Sequence, residues 1–332
     1  MNQAAKEKVI SCRGEGVQPP ATSSALHKVS MNSHLPNNKK LQNRFFTNLL
    51  VPSLILMTAV TIVPVLFLIV TSFTSWDLSR PGSLLFIGLD NFIRVFTSDP
   101  RFWNSVVVQI KLTILTVPAQ IITGLALAVF VREKIKIPFL TDLANGMFIV
   151  PMVIPPIVAA LIWKILFTPP VSILSFLSQQ AGLGQLAWLG DSNLALVAIA
   201  IATIWEFFPY CFLLLYTGLL SIPEEPLEAA RIDGASGWQV FRFITLPMLG
   251  PMLSIVVLFR LIDSIRSFPM IFIMTGGGPG FATEATNFYV YLQAFSYTYI
   301  GYSSAMVIVV FGVTMLMTAF ILTRIHWNRR DA

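Results

Sequence analysis

Six runs of predominantly apolar residues, roughly 47–73, 103–131, 138–166, 194–219, 249–274 and 301–325, decide most of what this chain can become. About 20 helical residues cross the hydrocarbon core of a bilayer. In lipid the backbone must satisfy its own hydrogen bonds, so each run reads as a spanning helix. Composition agrees: 11% of the 332 residues are charged and 55% are hydrophobic, where a soluble domain carries roughly 25% charged residues. The expectation is an all-α polytopic membrane protein with six transmembrane helices over 47–325. Residues 1–46 scatter Asn, Ser, Pro and Lys without period and are expected to form a largely disordered tail. They lack an apolar core followed by a small-residue cleavage site, so they do not read as a signal peptide. Residues 326–332 form a short polar end.

The net charge of +6 does not point to nucleic acid, because the basic residues edge the apolar runs. Placing the N-terminus inside puts 15 Lys and Arg on the inner segments, counting Arg324 at the last helix end. The outer segments 74–102, 167–193 and 275–300 hold only Arg80, Arg94 and Arg101. That asymmetry predicts cytoplasmic N- and C-termini. Cys12 lies in the polar tail and Cys211 in an apolar run, so neither a disulfide nor a metal site is expected. Prolines 64, 118, 151, 155, 156, 209 and 269 lie inside spans, where each removes a donor and bends its helix. Broken helices often line a translocation path, although kinks that only improve packing account equally well for many of them.

The inner segment 222–248 is too elaborate for a connector. Pro223 and Pro226 suit a helix start, and Glu224 and Glu225 favour its dipole. Gly234 is placed as the residue past the helix end, where a left-handed backbone is usual. Ser236 and Gln239 form an S-x-x-Q capping box that opens a second helix. That helix carries Val240, Phe241 and Ile244 on one face, and Pro247 is expected to stop it. By physics alone the segment is either an interfacial amphipathic hairpin or a docking surface.

The stretch "EAARIDGASGWQVFRFITLP" at 228–247 closely resembles the EAA motif of permease subunits in ABC importers. The resemblance implies a type I ABC importer permease fold, with this hairpin as the coupling helix that inserts in a cleft of a separate ATPase. Glu228 and Asp233 would be polar contacts, Gly234 the turn, and Ala229, Ala230 and Ala235 would permit close approach. The segments "GLDNFIRVFTSDPRFWNSV" at 88–106 and "MTGGGPGFATEATNFYVYLQAF" at 274–295 are similar to the outer loops of carbohydrate-uptake permeases, of the maltose larger-permease kind. The similarity covers about residues 45–325. "TGGGPG" at 275–280 lacks the Lys of a phosphate loop and falls on the outer side. It reads as a tight turn or as contact with a binding protein. His27, His34 and His326 are all in tails, and no Ser/His/Asp set is visible, so catalysis has no candidate site.

Charges at mid-bilayer cost about 2.5–3.5 kcal/mol on insertion scales and are functional candidates by default. Lys111 and Lys164 lie near outer helix ends and can snorkel. Glu206 in the fourth span, and Arg260, Asp263 and Arg266 in the fifth, cannot easily escape. Thr203, Glu206 and Tyr210 share one helix face, as do the three fifth-span residues. Carboxylates and guanidinium groups exchange hydrogen bonds with hydroxyls, and aromatic faces cover the apolar side of a sugar ring. Arg260 and Asp263 could equally neutralise each other to hold two helices in register. The resemblance implies sugar-contacting positions at Thr203, Glu206, Phe207, Tyr210, Asp263 and Ser267. Glu206 and Phe207 replace smaller or apolar residues of the maltose permease, and many relatives are acidic where Pro269 stands, so a maltose-like substrate does not follow. The arginines would also suit an anionic sugar derivative.

The chain is therefore expected to be a non-enzymatic permease subunit of an ABC carbohydrate importer, multi-pass in a bacterial inner membrane. The implied partners are a second permease chain in a heterodimer, two copies of a cytoplasmic ATPase, a periplasmic or extracellular solute-binding protein, and membrane lipid. No cofactor is expected on this chain; ATP and Mg would sit on the ATPase. A polyol, glycerol phosphate or anionic sugar derivative is an alternative substrate. A secondary transporter using Glu206 and Asp263 as proton carriers would leave the hairpin idle. A membrane enzyme would need a surface cluster of acids or a metal site, and an ABC exporter would lack this hairpin and these outer loops.

Overall fold

The computed structural model describes residues 39–169, 172–180, 182, 184, 186–265 and 267–328. The expectation for residues 1–38 and for 329–332 lies outside the described residues. Two compact units divide the chain, Met1–Val60 and Thr61–Ala332. The described part of the first is helical from Lys39, with exposed apolar side chains such as Leu54 and Met57. The helix α1 (Lys39–Ser72) runs on into the second unit. It begins inside the segment expected to be an unstructured tail, because Lys, Leu, Gln and Arg before the apolar run are good helix formers.

The other long helices follow the apolar runs. They are α3 (Pro100–Lys134), α7 (Ser192–Leu220) and α13 (Ile300–Asn328). Shorter helices are α2 (Asp90–Thr97), α6 (Ile173–Gln180) and α12 (Thr286–Tyr291). Among the described residues five helices are long and apolar enough to cross a membrane, or six when one bent pair counts as a span.

Small residues bring α3 and α7 together. A Cβ on Gly124 would fall 2.7 Å from both Cys211 Cβ and Phe212 N, so the two backbones meet at glycine. Gly218 makes room for the side chains of Leu249 and Met252. Between membrane helices no hydrophobic force is available beyond that of lipid, and close backbone approach supplies the dispersion contacts instead. Ala128, Val131, Phe212, Leu215 and Leu249 form one core, and Ala159, Phe167, Ile199, Ala202 and Met270 belong to another. Pro118 and Pro209 sit inside α3 and α7 without ending them.

Prolines break two of the expected spans, and one expectation, the stop at Pro247, is corrected. The third span is two helices, α4 (Pro138–Val153) and α5 (Pro156–Phe167), bent by 92°. Pro155 and Pro156 cannot donate to the preceding turn, and Pro155 holds Ile154 in an extended conformation. The fifth run is also broken: α10 (Leu246–Ser264) ends before Ser267, and a separate α11 (Phe268–Met274) starts with Pro269 in its first turn. Pro247 does not stop the hairpin's second helix. After α9 (Gly237–Val240), Phe241–Thr245 form a turn of π-helix that leads straight into α10. The wider π register gives the Leu246 amide to Phe241 O, and Pro247 then enters where a missing donor costs little.

Segments 72–102 and 284–302 are tied together by hydrogen bonds. Asn91 donates to Ser72 O and Thr74 O, both at 2.8 Å. Thr298 Oγ1 donates to Asp77 Oδ1 at 2.8 Å, and Gly301 N donates to Trp76 O at 3.0 Å. Asp99 accepts from Phe102 N, Tyr289 Oη and Tyr302 Oη. Burial and the Asp99 carboxylate push the Tyr289 phenol above its ordinary value. Arg101 pairs with the buried Glu284 through two hydrogen bonds of 2.8 and 2.7 Å. That pair fixes the loop after "TGGGPG", in which Gly276, Gly277 and Gly280 all have positive φ.

Candidate functional sites

The hairpin at 222–248 folds from local signals. In α8 (Glu225–Ile232), Pro226 occupies the first turn, with Glu225 and Glu228 beside it and Arg231 in the last turn. Each charge complements the helix dipole. Asp233 caps the helix. Gly234 takes φ +82°, and the chain folds back so that Ala235 N donates to Ala230 O at 2.9 Å and Gly234 N to Arg231 O at 3.1 Å. Only glycine adopts this conformation without strain. Ser236 then caps α9 with both halves of the capping box, Ser236 N to Gln239 Oε1 at 2.7 Å and Gln239 N to Ser236 Oγ at 3.4 Å.

One side of this hairpin is anchored and the other is bare. Leu227 and Val240 are buried in the core that contains Val131, Leu219 and Ile222, with Ala230, Ala235 and Ile244 packed against it. Glu228, Ala229, Asp233 and Gly234 are exposed. So are three large apolar side chains that the sequence reading did not single out: Ile232 at 85%, Trp238 at 69% and Phe243 at 72%. Apolar residues of that size left bare on a folded, capped hairpin define a surface built for contact.

The second constellation lies between α3, α7 and α10. Arg260 is 2% exposed, and its Nε donates to Gln120 Oε1 at 3.0 Å. Its Nη1 lies 3.5 Å from Asp263 Oδ2, and its guanidinium carbon stands 4.2 Å from the Phe207 ring centroid. Gln120 passes the linkage on, donating to Thr203 O at 3.0 Å. Glu206 is buried on the same stretch of α7, within electrostatic reach of Arg260, and Tyr210 is half-buried near Asp263. Thr203 turns its hydroxyl back to Ile199 O at 2.7 Å. Ser267 donates to Ser264 O at 2.8 Å in the break before α11. Arg266 lies outside the described residues.

The structure thus brings Thr203, Glu206, Phe207, Tyr210, Arg260 and Asp263 into one neighbourhood and adds Gln120, which sequence reasoning missed. The signal was present: Gln109, Thr113, Thr116 and Gln120 recur at helical spacing along the apolar second span. Gln109 Nε2 donates to Ser264 O at 3.0 Å and Thr113 Oγ1 to Ser264 Oγ at 3.1 Å, so Gln109, Thr113 and Gln120 of this stripe all meet α10. Among the described residues no group of three or more His, Cys, Asp or Glu could hold a metal ion.

Kinked spanning helices around buried polar side chains, together with an exposed capped hairpin, define a polytopic membrane transport subunit. Residues 120–326 match the family described as binding-protein-dependent transport system inner membrane component, and the chain belongs to it. It is 32% identical over 271 residues to the sulfoquinovosyl glycerol transport system permease protein of Agrobacterium fabrum, covering 82% of this chain and 87% of that one. It is also 32% identical over 286 residues to a trehalose/maltose transport system permease protein of Thermococcus litoralis, covering 84% and 94%. The fold is shared with a chain of a bacterial ABC transporter that imports the acidic polysaccharide alginate, at a TM-score of 0.76 and 18% identity over 86% of this chain and 96% of that one.

Proposed function

We propose that this chain is one of two permease subunits of an ATP-binding-cassette importer for a carbohydrate, and that its hairpin at 225–245 docks into a separate ATPase. The exposed Ile232, Gly234, Trp238 and Phe243 on a capped hairpin carry the reading. The chain's relatives, named for transport of sulfoquinovosyl glycerol and of trehalose or maltose, support a carbohydrate-class substrate. Lys and Arg placement supports a cytoplasmic hairpin and cytoplasmic termini.

In this mechanism a solute-binding protein delivers substrate to the outer side. ATP binding, with Mg, closes the ATPase dimer. The closure pulls on the hairpin, whose Leu227 and Val240 are embedded among side chains of α3 and α7 and transmit the pull to them. The breaks between α4 and α5 and between α10 and α11 let the outer helix segments move separately from the inner ones. Substrate meets Glu206, Phe207, Tyr210 and Asp263, with Asp263 the more open of the pair it makes with Arg260, at 33% side-chain exposure against 2%. Arg260 serves chiefly to join α3 to α10, since Gln120, Asp263 and Phe207 already occupy its guanidinium.

The test is reconstitution of the chain with its partner permease, ATPase and binding protein in vesicles. Uptake should need ATP inside and binding protein outside, and a cysteine replacing Ala229 should crosslink to the ATPase. Uptake by this chain alone, driven by a proton gradient, would refute the proposal.

A further inference from the structure

We propose that α2 and the loop before it form an interfacial anchor seated in the outer leaflet, with phospholipid as its partner. The proposal stands on the outer surface, away from the hairpin and the polar cluster. α2 presents three distinct sectors. Asn91 and Val95 point into the protein and are buried, Asn91 holding the end of α1 and Val95 packing with Phe102 and Tyr302. Asp90, Arg94 and Thr97 form an exposed polar sector. Leu89, Ile93 and Phe96, spaced four and three apart, form an exposed apolar sector, at 59, 57 and 52% exposure. A helix with one face in water and one in protein needs two sectors; the third, apolar and bare, calls for a third medium.

The neighbouring side chains extend that apolar sector toward the two spans it joins. Phe86, 80% exposed, stacks on Phe73 at 6.4 Å, and Phe73 meets Phe92 at 5.6 Å just past the end of α1. On the other side Trp103, in the first turn of α3, packs against Phe96 at 6.3 Å and donates its indole N–H to Phe96 O. Ring contacts therefore link α2 to the end of α1 on one side and to the start of α3 on the other. Aromatic side chains at the ends of spans are what the headgroup boundary favours. A protein partner would need no such continuity with lipid-facing surface. Because Asn91 locks α2 to α1 and Thr298 and Gly301 lock the preceding loop to α13, seating α2 in lipid fixes the outer ends of both helices relative to the bilayer.

The test uses the assembled transporter in vesicles of phosphatidylethanolamine and phosphatidylglycerol. Cys12 is replaced by Ser, the buried Cys211 is left in place, and single nitroxide labels are put at Phe86, Ile93 or Phe96, with controls at Asp90 and Thr97. Labels on the apolar sector should collide severalfold more often with oxygen than with a water-soluble nickel chelate, and the controls should show the reverse. Equal nickel access at all five positions overturns the proposal. Shielding of the apolar sector from both reagents also overturns it, because a protein then covers the face. For the unmodified protein, a phospholipid with a photoreactive group high on its acyl chain should leave adducts on residues 84–103. Adducts confined to the long spans would contradict the assignment.

Discussion

Arg260 Nε donates to Gln120 Oε1 at 3.0 Å, joining two membrane helices through side chains 140 residues apart. Gln120 is wholly buried and its amide nitrogen is already committed to Thr203 O. Gln120→Leu leaves the guanidinium short of one acceptor, and unmet buried donors cost about 1–3 kcal/mol. Its melting temperature in detergent should fall clearly below that of the wild type. Glu206→Ala should behave differently, melting close to the wild type while shifting substrate preference, with basal ATP hydrolysis by the complex unchanged. Unaltered selectivity and apparent affinity would make Glu206 a packing residue.

Helix crossing at Gly124 gives a stability test. A Cβ there meets Cys211 Cβ and the Phe212 backbone at 2.7 Å, and backbone cannot step aside as a flexible side chain would. Gly124→Val should destabilise by about 1–3 kcal/mol or more, as overpacking does. Gly146→Ala, where nothing lies within 4 Å of the new Cβ, should change the melting temperature little.

Acid should loosen the loop after α1 through Asp77. The hydroxyl and amide of Ser79 and the hydroxyl of Thr298 all donate to its Oδ1, and these bonds hold its pKa below the ordinary 3.8. A depressed folded-state pKa means the carboxylate stabilises the fold fully above the unfolded value. That stabilisation is lost as pH falls through the lower, folded one. Melting temperature followed from pH 7 to below pH 4 should therefore drop in the wild type. Asp77→Asn should start lower at pH 7 and lose less over the same interval.

Local chemistry was legible in the sequence and long-range chemistry was not. The capping box of Ser236 and Gln239 and the left-handed Gly234 involve neighbours within a few residues, so their spacing declared them. The Gln120–Arg260 and Arg101–Glu284 pairs join positions 140 and 183 residues apart, which no spacing rule connects. Prolines at 155 and 156 signalled a kink, but the 92° bend depends on what α4 and α5 pack against. Pro247 misled, because a π-turn upstream changed which donor the helix could spare. The six apolar runs located the membrane segments and their prolines marked where two of them break, while the size of the bend was written only in the tertiary structure.

The account turns on the bend at Gly234, whose φ of +82° proline cannot adopt. In vesicles containing the whole transporter, Gly234→Pro should insert normally yet abolish both substrate uptake and substrate-stimulated ATP hydrolysis. Normal uptake with coupled hydrolysis in that variant would show that the hairpin does not transmit the ATPase stroke.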